Sequence, residues 1–434
     1  MPPDSTRPIT VWSLESEPER LRATRAIAAA FQRRTGIQVH VVGVEEDALP
    51  AQVRQAKAAR RLPDVMSLPL AAAHAYAREG VTDPEAARRV IERLGPDTFS
   101  ERALRLVSDD GGPVAVPSDG WGQLIIYRRD LLEQRGLPVP DTTDALRYAA
   151  ENLERRGVAG ITIATSPDDV FTQQSFEHFA LAFGCRLTDG SGRVTLGDPP
   201  CEEAIDYYAA LARRYSPGGV QDADTTRDAY FAGRAAMIVW SPFLLDALAG
   251  LRPDARPACP QCRRDPAFLA RNSGIVTSLY GPRGGEAQYG EISSWAIVAG
   301  GHTPEAERFA QYMLTDGYVR WLALSPQGKY PVRPGDRENR TRFVTGWAGL
   351  ESGVRPKAPL RRFYPARTLD LIASGSERFD RWGLVEGQGA LEGALTAELA
   401  IPKALSQVIR GRIGAGEAAA RLQAAAERLQ RGLR

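Results

Sequence analysis

Residues 9–42 read ITVWSLESEPERLRATRAIAAAFQRRTGIQVHVV. ITVW, residues 9 to 12, is a run of β-branched and aromatic side chains and reads as a short buried strand. Residues 20 to 33 carry apolar side chains at helical spacing, and IQVHVV is a second strand. Between the first strand and the helix lies SLESEP, Ser13 to Pro18. Ser16 or Glu17 near the helix N-terminus, with Pro18 in the first turn, suits capping. Strand ends in open α/β sheets are also where ligands bind. The loop is therefore expected to cap the helix and to lend one carboxylate to a ligand.

The alternation continues. IQVHVV, PDVMSL and GPVAVP follow ITVW as strands, and 20–33, 48–60, 71–79 and 84–94 read as helices. Strands alternating with helices predict a parallel sheet covered on both faces. SDGWG, with two glycines, reads as a turn and a crossing to a second lobe. QLIIYRRDLL then runs from strand into helix. Residues 141–157, 170–184 and 201–215 are predicted helices, and GITIA and AAMIVW strands. SSWAIVAG returns as a strand, and TPEAERFAQYMLTD is a helix opened by Thr303 with Pro304 at its first position. From about residue 337 the chain is mainly helical. No internal repeat of fixed period is present.

The 434 residues suffice for two domains. With 55 basic and 53 acidic residues the net charge is +2, which gives no reason to expect nucleic acid or an anionic membrane as partner. No apolar run reaches the roughly 18 residues of a membrane helix. MPPDSTRP shows no signal-peptide pattern, so the chain is either cytoplasmic or has lost a targeting segment. His40, His74, His178 and His302 are scattered and form no metal-binding spacing. The cysteines are Cys185, Cys201, Cys259 and Cys262. The first two foot a hairpin with DGSG at its turn, and the last two form CPQC. Two local disulfides suit this arrangement and imply an oxidising compartment. Four reduced thiols, or one four-thiolate zinc site, remain open alternatives.

The ordered series ITVW–helix–TGIQVHVV, LPDVMSL, AVPSDGWGQLIIYRRDLL, AYFAGRAAMIV, ISSWAIV–PEAERFAQYML and GKYPVR, spanning roughly residues 8 to 335, resembles the extracellular sugar-binding proteins of ABC importers, the family of maltose-binding protein. The resemblance implies a two-lobed α/β periplasmic-binding-protein fold whose lobes close about a hinge over a ligand in the cleft between them. It places residues 1–118 and 278–327 in the N-terminal lobe and 119–277 and 328–434 in the other. It also implies a membrane permease as partner, a monomer, an export or lipoprotein signal absent from this sequence, and an extracytoplasmic, periplasmic or lipid-anchored location. No cofactor is implied.

A sugar offers many hydroxyls and flat C–H faces, so its site needs carboxylates, amides and arginine beside aromatic rings. The strand-end loops supply these as Glu15, Glu17, Ser67, Asp119, Trp121, Trp240, Ser241, Ser293, Ser294, Trp295, Tyr330 and Arg333. Trp382 sits in a Gly-rich loop further on, and Gln173 and Gln174 lie where the family often places cleft residues. A non-sugar solute (a glycerophosphodiester, polyol or peptide) is the alternative ligand. A carbohydrate-active enzyme with an unmarked carboxylate pair is the alternative class, although GxSxG, HExxH, GxxxxGK[ST] and strand-following GxGxxG motifs are all missing.

Overall fold

The computed structural model describes residues 7–283 and 285–433. The chain divides into two compact units, Met1–Gly120 with Glu291–Leu350, and Trp121–Gly290 with Glu351–Arg434.

The first unit is built on a six-stranded sheet in the order Tyr330–Pro331, Val116–Gly122, Gly290–Ile297, Val65–Leu68, Ile9–Ser13, Val39–Gly43. Ile9–Ser13 runs parallel to both of its neighbours, whereas Gly290–Ile297 is antiparallel to Val65–Leu68. The helix after the first strand spans Pro18–Thr35 and ends where Gly36 turns left-handed (φ 75°) and donates its N–H to the Gln32 carbonyl at 2.8 Å. Pro18 occupies its first turn as expected. Glu17 is the cap residue, yet its side chain makes no cap bond and pairs with Arg20 at 3.4 Å instead. Ile27 and Phe31 bury their side chains with Phe309, Trp295, Trp321 and Tyr318 in one core.

The second unit has a three-stranded antiparallel sheet, Met237–Trp240, Leu124–Arg128 and Ser273–Val276. Against it stand helices Val170–Phe183 and Pro199–Tyr215, and the C-terminal helices Gly389–Ala397, Ala400–Ile409 and Ala415–Leu433 share the same core. Disulfides join Cys185 to Cys201 and Cys259 to Cys262. Between the first pair the hairpin shrinks to one antiparallel bridge, Thr188 with Val194, and Cys201 already lies in the following helix.

Two expectations need correcting. SDGWG is not a turn but the body of strand Val116–Gly122. Its Gly122 allows close approach rather than a bend, since a Cβ there would stand 2.8 Å from the Phe379 ring, as one at Gly290 would stand 1.9 Å from it. The unit boundaries also fall later than 278 and 327. Ser273–Val276 is held by Leu124–Arg128 in the second unit, while Tyr330–Pro331 pairs with Val116–Gly122 in the first.

Candidate ligand-binding site

In the first unit the parallel strands Ile9–Ser13 and Val65–Leu68 end at the same sheet edge. The loop after Ile9–Ser13 delivers Glu15, and strand Val116–Gly122 delivers Asp119. Between these two carboxylates stands Lys329, its Nζ 2.6 Å from Glu15 and 3.1 Å from Asp119, and 4.2 Å from the centre of the Trp321 ring. Asp119 also accepts from the Trp321 indole at 2.6 Å and from the Ser118 hydroxyl at 2.8 Å. Arg20 donates to the other oxygen of Glu15 and to Ser325. Burial pushes the Glu15 carboxyl up, but Lys329 and Arg20 more than offset it and hold it below the usual range. Burial likewise pushes the Lys329 ammonium down, and Asp119 and Glu15 together hold it above its ordinary value. The edge is thus a preorganised network in which Lys329 bridges two carboxylates from distant parts of the chain. Ser67 and Ser294 lie on the adjoining strands, both buried, and the Ser294 hydroxyl has no partner.

In the second unit strand Met237–Trp240 ends at Trp240, half-buried, with its ring 4.7 Å from that of Phe171 and tilted by 58°. The Trp240 indole N–H has no hydrogen-bond partner. Phe171 opens helix Val170–Phe183, whose first turn is capped by Asp169. Trp121, also half-buried, lies 6.4 Å from Phe243 and 6.0 Å from Tyr289. Ser241 follows Trp240, and Gln174 is partly exposed. Paired rings beside an unsatisfied donor suit an apolar face edged with hydroxyls.

Other expected residues are committed to the interior. Trp295 is 1% exposed and packs on Trp321 and Phe309. Arg333 donates to the Thr98 hydroxyl and to the carbonyls of Leu94 and Leu314, and serves as a strut. Tyr330 is buried against Trp347. Trp382 is buried and donates to the Cys185 carbonyl. Gln173 donates to Glu392 and Thr396. Strand alternation explains the error in GKYPVR: neighbours along an extended chain point opposite ways, and Lys329, next to Tyr330, is the one that reaches the edge. Phe171 and Phe243 carry no local signal, because phenylalanine in an apolar helix or turn reads as core. Among the described residues no group of three or more His, Cys, Asp or Glu is placed to hold a metal ion, and no helix is long and apolar enough to cross a membrane.

Residues 15–320 match the family described as bacterial extracellular solute-binding protein. A putative ABC transporter periplasmic-binding protein of Escherichia coli K12, YcjN, is 30% identical over 325 residues, which is 73% of this chain and 71% of that protein. Among solved structures, the GacH receptor of Streptomyces glaucescens, studied unliganded and with acarbose, superposes with a TM-score of 0.73 at 19% identity, covering 98% of this chain and 99% of that one. A sugar transporter protein of Arthrobacter chlorophenolicus with bound laminaribiose gives 0.73 at 16% over 96% and 98%. A solute-binding protein of Agrobacterium radiobacter with ribitol gives 0.70 at 18% over 99% and 100%. These likenesses establish the two-unit periplasmic-binding-protein fold. With the family match extending over most of its length, the chain belongs to the bacterial extracellular solute-binding proteins.

Proposed function

We propose that this protein is the substrate-binding component of an ABC importer, that its ligand is a carbohydrate or polyol, and that it hands this ligand to a membrane permease outside the cytoplasm. The observation that carries the ligand class is the Phe171–Trp240 ring pair with its unpartnered indole N–H. The ionic edge of Glu15, Lys329 and Asp119 supports it as a preorganised polar edge. The sugar- and polyol-bound structures of the same fold agree with this choice. The ligand is bound without turnover, and the closest enzymatic alternative is a glycosidase.

A thermal-shift and calorimetric panel of mono- and oligosaccharides, polyols, glycerophosphodiesters and short peptides tests the reading. A ligand at a hundred times its Kd stabilises the folded state by about 2.7 kcal/mol. Stabilisation by a sugar or polyol, with the compound recovered intact, is expected. Stabilisation by the phosphodiesters or peptides alone, or release of reducing sugar, overturns it.

A further inference from the structure

The charge balance of the whole chain conceals a local excess. Residues 251–267 and 351–370 of the second unit hold nine basic and four acidic side chains, a net +5 in a chain whose total is +2. The two segments meet at one place. A Cβ on Gly250 would stand 2.8 Å from Pro266, so the loop between them closes at its neck. Beside that neck Val354 donates its N–H to the Leu251 carbonyl at 3.0 Å, and a Cβ on Gly353 would stand 2.6 Å from Leu251. Arg264 lies just before the neck and Arg355 follows Val354, so both segments carry their cations outward from one point of contact.

Elsewhere on the surface Arg22, Arg147, Arg227 and Arg421 each meet an acid one helical turn away. Here the acids are taken. Arg252 pairs with Asp254, and Arg271 with Asp265, which leaves Arg256, Arg263 and Arg264 exposed and without an ion-pair partner among the described residues. Arg355, Lys357, Arg361, Arg362 and Arg367 are exposed and unpaired in the same way.

The backbone beneath these cations is braced. The Cys259–Cys262 disulfide closes a tight turn in which Cys262 donates its N–H to Cys259 Sγ at 3.1 Å and Arg263 donates its N–H to the Cys259 carbonyl at 3.3 Å. The Ala258 N–H donates to the Phe231 carbonyl at 2.9 Å, and the Tyr364 hydroxyl fastens the second segment to the Leu245 carbonyl at 2.7 Å. Like charges held close on a fixed frame repel one another, and an anionic surface relieves that repulsion. A fixed frame also loses little freedom on binding. Helix Ala366–Ala373 adds Leu371, exposed one turn from Arg367 on the same face. A cation beside an exposed apolar side chain suits a phospholipid headgroup layer, which offers phosphates above and acyl chains below.

We propose that this basic platform seats the second unit on the anionic phospholipid headgroups of a membrane surface. The headgroup phosphates accept from the guanidiniums, and phosphates spread over a plane match cations spread along two segments. The platform goes beyond the ligand assignment, and only its membrane setting is drawn from the proposed transport role. It concentrates the protein at the surface where a permease lies, whether or not ligand is bound.

Sedimentation of the full chain with lipid vesicles tests this at low ionic strength. No sugar is added, so a failure here is separate from a failure of the ligand reading, which the thermal-shift panel decides. The parent is expected to bind vesicles of equal parts phosphatidylglycerol and phosphatidylcholine, not phosphatidylcholine alone, and to be released as salt shortens the screening length. Each basic side chain near an anionic surface strengthens binding about fivefold. Arg263→Gln with Arg264→Gln, and Arg361→Gln with Arg362→Gln, should therefore each weaken binding about 25-fold without moving the melting curve. Arg33→Gln with Arg320→Gln removes the same charge from exposed, unpaired arginines of the first unit and should leave binding unaltered. If one platform pair does not fold, the other decides. Absence of binding to the phosphatidylglycerol vesicles, equal binding to phosphatidylcholine, or an equal loss in the first-unit pair overturns the proposal. So does binding to native membrane vesicles that disappears once protease strips their proteins, which would assign the platform to a protein partner instead.

Discussion

Replacing Lys329 with Met tests the ionic edge of the first unit most directly. The substitution keeps much of the side chain's length and removes only the ammonium that Glu15 and Asp119 share at 2.6 and 3.1 Å. Both carboxylates would then sit buried without it, with Arg20 still hydrogen-bonded to Glu15. Removing one partner of a buried ion pair typically costs about 3–5 kcal/mol, and loss of the contact with the Trp321 ring at 4.2 Å adds about 1 kcal/mol. A loss of about 4–6 kcal/mol at pH 7 is expected, read by urea unfolding and calorimetry.

The pH dependence carries a sign. In the parent, Glu15 is held below the ordinary carboxyl range, so its contribution is present above that range and is lost as pH falls through the folded value. In the variant Glu15 loses the larger of its two compensating cations, so burial pushes its carboxyl up relative to the parent. The penalty should therefore shrink steadily from pH 7 to pH 4, and adding Glu15→Gln and Asp119→Asn should recover part of it. A cost below about 1 kcal/mol at pH 7, or one equal at pH 4 and pH 7, would refute the reading of Lys329 as the compensating charge.

Trp240→Ala and Phe171→Ala should each weaken ligand binding by about 1–3 kcal/mol in isothermal titration, and Phe171→Ala should also lower the melting curve of the empty protein because its ring is buried; unaltered affinity in both would remove the ring pair from the site. Trp295→Ala should behave in the opposite way, costing about 3–5 kcal/mol in urea unfolding because its ring fills the core of the first unit. Opening the Cys185–Cys201 bridge by paired Ser substitution should cost about 3 kcal/mol, and opening Cys259–Cys262 about 2 kcal/mol, since the stabilisation grows with the length of the closed loop; equal losses would contradict that account.

The β/α alternation of the first hundred residues was legible because each strand and helix carries its own period. Helices expected at 48–60, 71–79 and 84–94 form at Leu49–Ala58, Leu70–Arg78 and Pro84–Leu94. The Val116–Gly122 strand was not legible as one, since its Gly122 makes room for the ring of Phe379, more than 250 residues away. The candidate site was half legible. A tryptophan at a strand end reads the same whether it turns inward, as Trp295 does, or stays half-open, as Trp240 does. Its direction depends on strand register, which pairing partners far along the chain decide. Lys329 was hidden for a related reason: nothing local to GKYPVR announces that its two carboxylates come from residues 15 and 119.

The position of strand Gly290–Ile297, inserted between Val116–Gly122 and Val65–Leu68, has a consequence for biosynthesis. The N-terminal segment emerges with an open edge along Val65–Leu68, and the strand that closes it lies beyond the 170 residues of Trp121–Gly290. At typical elongation rates of about 5–20 residues per second, that gap lasts about 9–34 s. For this interval the first unit cannot complete its sheet, and an unpaired edge is a template for association with other chains. Chaperone capture of nascent chains should therefore peak while the second unit is being made and fall once residues 291–350 have emerged, so the order of the strands in the sheet sets the timetable on which this protein is vulnerable.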